Sequence, residues 1–271
     1  MTHYELLLFF LVVGFEVALC WLVYARHLQK RLPMFAVYAI TILVSNLIFG
    51  LVFWHFGFRT GISYYTNWTA FGLAMLARSS AIVELCQHRL QAYRGIWSMA
   101  WRILVVMVLF FVVHGALDAW GQPNWFATYA LTIERDIEVA SLIILLTMLV
   151  IGDYYDLPID ALEKWIAVGF CFFCAVEVVN STVLRDIFSK YFFLHASMGP
   201  QIERVNQLWN TIQVSASLVC FSIWGYALRK PLPEPAASPA LLPDGVYQTL
   251  SPAVNLRMRE LNNRLLEMLK P

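Results

Sequence analysis

The sequence predicts an all-α polytopic membrane protein, built as a bundle of seven transmembrane helices. Of its 271 residues, 60% are hydrophobic and 14% are charged, against about 45–50% and about 25% in a typical soluble domain. A single water-soluble core cannot hide that much apolar surface, so the composition excludes a soluble enzyme. The apolar residues form continuous runs, whereas a membrane barrel has short alternating segments. The net charge of +1 does not suggest a nucleic-acid partner, and the lipid bilayer is the expected environment.

Seven apolar windows are long enough to cross the hydrocarbon core of a bilayer, which takes about 20 residues each. No basic segment or small-residue cleavage site precedes the first window, so we expect that helix to stay in place as an anchor. Pro33 suits the first turn of the second helix, where its missing N–H costs nothing. The predicted spans are 5–25, 33–56, 65–86, 97–120, 128–151, 165–184 and 203–228.

The basic residues between the spans predict the orientation of the bundle. Cytoplasmic loops carry an excess of Lys and Arg, and one side of the bundle has more of them than the other. We therefore expect the amino terminus outside, the carboxyl terminus in the cytoplasm, and a multi-pass position in the inner membrane of a bacterium. The basic residues are Arg26, Lys30, Arg31, Arg89, Arg94, Arg102, Lys164, Arg229 and Lys230 on the first side, and Arg59, Arg185, Lys190 and Arg204 on the second.

The composition changes after the bundle, which occupies residues 1–230. Residues 231–251 form a Pro-rich segment that predicts a semi-rigid linker. Residues 252–271 predict a cytoplasmic amphipathic helix. Its apolar seam is too short to make a stable coiled coil alone, so a homodimer or protein partner, the bilayer surface and the bundle itself are alternative contacts. The seam residues are Val254, Met258, Leu261, Leu265 and Met268.

Polar residues inside the spans are the candidate ligand-binding residues. A charge in hydrocarbon costs at least about 2.5–3.5 kcal/mol, so each such group needs a partner or water. Most of them fall in the half of the bilayer predicted to be the outer one, on spans four to seven. One interpretation is a polar cavity that opens to the outside, and the other is a set of interhelical hydrogen bonds that fix the packing. The candidates are His114, Asp118, Glu134, Glu138, Glu177, Asn180, Asn206, Asn210 and Gln213.

Arg78 in the third span and Glu16 in the first span form a candidate intramembrane ion pair. Arg78 shares a helix face with Ala74 and Ala81, and small residues at that spacing let helices approach closely. We therefore expect the guanidinium to point inward, towards a carboxylate. Glu138 lies at a depth comparable to that of Glu16, so both carboxylates are possible partners. A structural clamp and a role in signalling or proton movement are both open interpretations.

The identity of any cofactor is unknown from the sequence. A retinal Schiff base requires a lysine within the bundle, and Lys164 and Lys190 lie at span ends, so retinal is disfavoured. Haem bound by two histidines, with His55 and His114 as the outer-half candidates, is a less favoured alternative. A divalent metal is another, because carboxylates and imidazole are suitable ligands. The candidate metal ligands are His114, Asp118, Glu134 and Glu138.

The acidic loop between the fifth and sixth spans is interpreted as a solvated turn rather than a site. It contains Asp153, Asp156, Asp160 and Glu163. The chain has no H-E-x-x-H and no G-x-S-x-G motif, so it lacks the two commonest hydrolase signatures.

Three segments carry a resemblance to a known group of proteins. They are Leu28–Tyr38 (LQKRLPMFAVY), the Tyr64-Tyr65 pair with Trp68, and the Ile133-Glu134-Arg135 triplet. They resemble uncharacterised seven-helix bacterial membrane proteins, with the likeness extending over roughly residues 1–230. The architecture is also similar to the seven-helix sensor halves of some bacterial histidine kinases. The resemblance implies a sensor-like seven-helix bundle and transfers no site residue.

These observations lead us to expect a receptor-like or sensor-like protein that is not an enzyme. It would bind a small ligand or an ion in the outer polar cavity and couple that state, through Arg78 and the seventh span, to the cytoplasmic helix. An accessory or structural subunit of a membrane complex is the alternative. An intramembrane metal-dependent hydrolase is a third and less favoured one.

Overall fold

The computed structural model describes residues 3–57, 60–90, 94–121, 125–154, 160–182 and 199–229, together with Arg264 and Met268. Within this part the chain is all-α and contains no strand, which confirms the predicted class. The predicted linker and most of the predicted cytoplasmic helix lie outside the described residues. The helices are α1 (His3–Ala25), α2 (Pro33–Phe56), α3 (Gly61–Leu90), α4 (Arg94–Ala119), α5 (Trp125–Tyr154), α6 (Ala161–Val179) and α7 (Gly199–Leu228), with a 3-10 turn at Leu28–Lys30.

Five of the described helices are long and apolar enough to span a membrane, which indicates a membrane protein. α5 and α6 contain more charge, at 134–138 in α5 and at Glu163, Lys164 and Glu177 in α6. The predicted count of seven spans and the predicted orientation therefore stay predictions. The five apolar stretches are Leu7–Ala25, Pro33–Phe56, Gly61–His88, Trp97–Ala119 and Gln207–Leu228.

Six of these helices form a closed ring, in the order α1, α2, α3, α5, α6 and α7, with α7 returning to α1. α4 lies outside the ring, and its main neighbour is α5. From α1 to α6, the connections between consecutive helices are short, so each helix runs antiparallel to the one before it. We call the end where α1, α3, α5 and α7 begin the N-terminal end of the bundle, and the opposite end the C-terminal end.

An aromatic core holds α2, α6 and α7 together near the C-terminal end. Trp224 of α7 is fully buried and packs edge-on against Phe35 and Phe170, with ring centroids 5.1 and 4.8 Å apart. Its indole Nε1 donates a hydrogen bond to the Ile166 carbonyl at 3.1 Å. The indole lies directly over Gly169, where a Cβ atom would collide with the ring. The absence of a side chain at residue 169 therefore allows α6 and α7 to pack closely.

A polar cluster at the C-terminal end, the end cluster, consists of Arg31, His88, Asp160 and Glu163. Arg31 forms ion pairs with Asp160 and with Glu163, the latter at 3.0 Å. His88 of α3 lies 3.4 Å from the same Glu163 carboxylate. Glu163 is buried and Asp160 is half-buried, so the interpretation of the acidic loop as a solvated turn is wrong for these two acids. Asp156 and the side chain of Asp153 lie outside the described residues. Arg31, in the α1–α2 connection, pairs with both acids, and this pairing compensates for the burial of their carboxylates.

Glu84 of α3 caps the first turn of α2 beside this cluster. Its carboxylate accepts hydrogen bonds from the backbone N–H groups of Met34 and Phe35, at 3.1 and 3.0 Å. These N–H groups have no partner within their own helix, and an acid at a helix N-terminus also interacts favourably with the helix dipole. The C-terminal end is therefore fixed by contacts among α2, α3, α6 and the α1–α2 connection.

Candidate functional site

Arg78 lies near the middle of α3 and is only 7% exposed. Its guanidinium forms a hydrogen-bonded ion pair with Glu138 Oε1 of α5, and the Glu134 carboxylate is 3.9 Å away. The guanidinium also lies over the ring of Phe173 in α6, 4.8 Å from its centroid. Ala81, one turn along the same face of α3, is fully buried, because its small side chain lets the neighbouring helices approach. Arg78 therefore connects α3 to both α5 and α6.

The structure pairs Arg78 with one of the two carboxylates that the sequence offered. Glu16 instead accepts a hydrogen bond from Asn46 Nδ2 of α2, at 2.6 Å, and is 2% exposed. The candidate pair between Glu16 and Arg78 is therefore not formed. The reason is the helix order, since α2 lies between α1 and α3 in the ring.

Glu177 brings a third carboxylate to the same region from α6. It is 3% exposed, and both Arg78 and Glu138 act electrostatically on it. Cys174, one turn earlier, is fully buried. We call Arg78, Glu134, Glu138, Glu177 and Asn180 the central cluster. It holds three carboxylates and one guanidinium, and a low-dielectric interior penalises such an excess of charge.

Several buried polar atoms of the central cluster have no hydrogen-bond partner in the described part of the protein. They are Glu138 Oε2, Glu177 Oε1, and both Oδ1 and Nδ2 of Asn180. Asn180 is 2% exposed. Buried polar groups are almost always hydrogen-bonded, so an exception needs an explanation, such as a bound molecule or water. Four such atoms belong to three residues of the central cluster, so its described packing leaves polar groups unpaired.

Asn180 also begins a local change in helix geometry. Residues 180–182 form a widened, π-helical turn at the end of α6. Such turns are rare and frequently occur at functional sites. The wide turn and the unpartnered amide coincide at the same residue.

The helix geometry arranges these groups as a column along the α5–α6 interface. With a rise of about 1.5 Å per residue, Glu177 and Asn180 are about 4.5 Å apart along α6, with Asn180 nearer the N-terminal end. Glu134 lies about 6 Å from Glu138 in the same direction. The predicted orientation would place this column in the outer half of the bilayer.

The candidates of α4 lie in a separate seam against α5. His114 Nδ1 hydrogen-bonds to Asp136 Oδ2 at 2.6 Å, and Thr132 Oγ1 donates to Asp118 Oδ2 at 2.6 Å. The described contacts of His114 and Asp118 are thus interhelical bonds between α4 and α5. This arrangement suits the packing interpretation.

A metal site is not formed by the candidate ligands in the described residues. Nowhere in that part of the chain do three or more His, Cys, Asp or Glu side chains come together in a way that could hold a metal ion. The four candidate ligands lie in two different places. His114 and Asp118 bond within the α4–α5 seam, whereas Glu134 and Glu138 face Arg78.

The α7 candidates are not brought into the central cluster by any described contact. Asn210 is exposed and Gln213 is half-buried, while the side chain of Asn206 lies outside the described residues. The half-buried Trp209 has an indole nitrogen without a hydrogen-bond partner among the described residues. In the described structure, α3, α5 and α6 carry the central cluster, and α7 packs against α6.

Sequence reasoning missed the partner residues Asn46, Thr132 and Asp136. Thr132 and Asp136 could have been found from their spacing. They are four residues apart on α5, and their partners Asp118 and His114 are four residues apart on α4, in the reverse order. Two antiparallel helices place such pairs opposite one another. Asn46 is the one amide side chain in the mostly apolar helix α2, and that marks it as a candidate partner for a buried acid.

A surface groove of about 400 Å³ lies between α6 and α7, away from the central cluster. Five of its six lining residues are apolar or aromatic, so it suits hydrocarbon rather than a polar ligand. Its lining residues are Trp165, Leu218, Val219, Ser222, Ile223 and Tyr226.

No family model matches this chain, and neither does any curated protein or solved structure.

Proposed function

We propose that this chain is a receptor-like seven-helix protein of the bacterial inner membrane, which binds a small polar ligand or an ion at the central cluster. The observation that supports this most is the set of unpartnered buried atoms on Glu138, Glu177 and Asn180. Packing alone would leave such atoms paired or replaced by apolar groups, because each one costs about 1–3 kcal/mol when buried without a partner. A bound ligand supplies the missing partners.

The contacts of α6 provide a route by which binding changes the C-terminal end of the bundle. The ligand would contact α6 at Glu177 and Asn180. The same helix is bonded to α7 through Trp224 and through Cys220, whose thiol donates to the Gly169 carbonyl at 3.2 Å. Asp160 and Glu163 attach its other end to Arg31. A shift of α6 therefore moves α7, which leads into the predicted linker and cytoplasmic helix.

A ligand screen tests this proposal on the purified full chain in nanodiscs. Thermal unfolding is measured with small cations, anions, zwitterions and neutral polar molecules. We expect one class to raise the unfolding temperature of the wild type, and Asn180→Leu to abolish that rise. Asn210→Leu is the matched control, since this amide is exposed on α7. If none of the four classes changes the unfolding temperature, the receptor proposal has no support.

The second candidate function is an accessory subunit of a membrane complex. The position of α4 favours it, because α4 lies outside the ring and only 6% of its apolar stretch is buried. In that case its polar bonds to α5 only fix the packing, and its open face docks a partner. Purification in mild detergent tests this candidate. Constant co-purification with the same other chains supports it, and a homogeneous single chain contradicts it.

A further inference from the structure

We infer that the groove between α6 and α7 binds one anionic phospholipid, with an acyl chain along its apolar wall and the phosphate at Arg26 and Arg229. This inference goes beyond the proposed binding at the central cluster and does not depend on it. It rests on three features of the described structure, which are the chemistry of the groove wall, the position of the groove along α7, and the charges beside its aromatic end.

The wall of the groove is apolar. Three aliphatic side chains of α7 line it, those of Leu218, Val219 and Ile223, together with two aromatic rings. The hydroxyl of Ser222, which also lines it, donates a hydrogen bond to the Leu218 carbonyl at 2.7 Å. This hydroxyl therefore needs no partner from a ligand, and the wall suits a hydrocarbon chain.

The groove has the position and length of one acyl chain in one leaflet. Its α7 residues run from Leu218 to Tyr226, which is about 12 Å at a rise of about 1.5 Å per residue. One leaflet of the hydrocarbon core is about 15 Å thick, half of about 30 Å. The rings of Trp165 and Tyr226 lie 6.3 Å apart, close to Leu228, where the apolar stretch of α7 ends. Amphipathic rings prefer the membrane–water interface, so this aromatic end is where a lipid headgroup would lie.

Two arginines lie beside the aromatic end of the groove. Arg229 directly follows α7 and is exposed, and its N–H bonds to the Tyr226 carbonyl at 3.3 Å. It comes three residues after Tyr226 and seven after Ser222, a spacing that continues the groove face of the helix. The Arg26 guanidinium donates a hydrogen bond to the Arg229 carbonyl at 2.9 Å. The two cationic residues are therefore neighbours, one turn beyond the groove.

Neither of these arginines forms an ion pair with an acid in the described part of the chain. Three acids at the same end have other partners, since Asp160 and Glu163 pair with Arg31, and Glu84 caps α2. Guanidinium groups bind phosphate strongly, through paired hydrogen bonds, and basic pockets between transmembrane helices bind anionic headgroups. Cationic groups beside an apolar groove thus favour an anionic phospholipid over a neutral lipid or an apolar helix.

Native mass spectrometry of the full chain, released from detergent micelles, tests the inference. The protein is titrated with phosphatidylglycerol and phosphatidylcholine that carry the same acyl chains, so the comparison isolates the headgroup. We expect one phosphatidylglycerol molecule to bind about thirtyfold more tightly than phosphatidylcholine, since each nearby arginine contributes about a factor of five. The spectra also show whether a second copy of the chain or another protein is bound instead.

Two variants locate the headgroup. Arg229→Gln and Arg26→Gln should each reduce the preference for phosphatidylglycerol by about fivefold. Arg102→Gln is the matched control, because it removes the same charge from an exposed position on α4, which lies outside the ring and beside α5. It should leave the preference unchanged.

A second pair of variants locates the acyl chain. Val219→Trp fills the groove and should abolish the tight binding of phosphatidylglycerol. Val108→Trp makes the same change on the exposed face of α4 and should have no effect, since both valines are exposed and only Val219 lines the groove. Circular dichroism checks that each variant is folded, and the lipid comparison on the wild type does not depend on the variants.

Three outcomes would overturn the inference. The first is equal affinity for the two lipids, and the second is a preference for phosphatidylglycerol that neither Arg26→Gln nor Arg229→Gln changes. The third is a bound second copy or other protein that Val219→Trp removes, which would make the groove a protein interface. None of these outcomes concerns the central cluster, so the lipid site and the receptor proposal can fail separately.

Discussion

The central cluster and the end cluster both attach α6 to its neighbours through an arginine, but they differ in how completely their groups are paired. In the end cluster, Arg31 contacts both Asp160 and Glu163, and His88 lies beside Glu163. The Arg31 side chain is 31% exposed, so water reaches it. In the central cluster, the Arg78 side chain is 9% exposed and several buried atoms have no partner in the described structure. The first arrangement is a fully paired structural contact, whereas the second leaves buried polar atoms without partners in the described structure.

A buried charge whose neighbours leave polar groups unsatisfied is therefore a stronger candidate for a binding site than a buried charge that is fully paired. Paired charges near water stabilise little, about 0–1 kcal/mol for a surface ion pair. Unpartnered buried groups reduce stability and persist at functional sites, where binding or catalysis requires them. Five variants test the comparison, and those with the larger expected effects come first.

Arg78→Met breaks the central cluster. It leaves the carboxylates of Glu134, Glu138 and Glu177 buried without their cation, and losing one partner of a buried pair costs about 3–5 kcal/mol. We expect the free energy of unfolding, measured in detergent, to fall by about that amount. The control is the double variant Arg78→Met with Glu138→Met, which removes the pair together and should recover much of the loss. Full stability of the single variant would contradict the buried ion pair.

Glu177→Leu and Glu163→Leu compare the two clusters directly. Glu177 has an unpartnered oxygen, so its replacement should raise the free energy of unfolding of the ligand-free protein by about 1–3 kcal/mol. Glu163 is paired with Arg31, so its replacement should lower that free energy. Chemical unfolding of both variants under one condition measures the signs. The same sign for both would remove the distinction between the clusters.

Gly169→Ala tests how tightly α6 is held against α7. The added Cβ meets the Trp224 indole, and overpacking of this kind costs about 1–3 kcal/mol. Gly225→Ala is the matched control, because nothing lies within 4 Å of its Cβ position. We expect the thermal unfolding temperature to fall only for the first variant. Equal temperatures for both would show that α6 and α7 are packed more loosely than described.

Arg31→Gln has the smallest expected effect. Its ion pairs are partly exposed to water, so their loss should cost about 1 kcal/mol or less. Because salt screens exposed charges, the difference from the wild type should shrink in 1 M salt. Unfolding at low and high ionic strength measures this. A large loss of stability that does not depend on salt would mean that the end cluster is as inaccessible to water as the central cluster.

The sequence predicted the ends of a helix well where a local signal marks them. The second span was predicted at 33–56 and is observed at Pro33–Phe56, because Pro33 starts the helix and Gly57 follows its end with a positive φ of 75°. The sixth was predicted at 165–184, whereas α6 begins at Ala161. It begins earlier because the Asp160 side chain accepts the Leu162 N–H and caps the helix.

The site was predicted in part, because its residue types are visible in the sequence and their partners are not. The inward direction of Arg78 follows from the small residues on its face. Its choice of Glu138 over Glu16 depends on the ring order of the helices, which no local pattern contains. The same holds for Asp136, which pairs with His114 across the α4–α5 seam.

An experimental density map of the purified wild-type protein at the central cluster tests the central claim most directly. We predict density for a bound small molecule or ordered water that bridges Glu138, Glu177 and Asn180, and its loss in Asn180→Leu. If these three side chains instead bond to one another, with no density between them, the cluster is a packing contact and the binding proposal is contradicted.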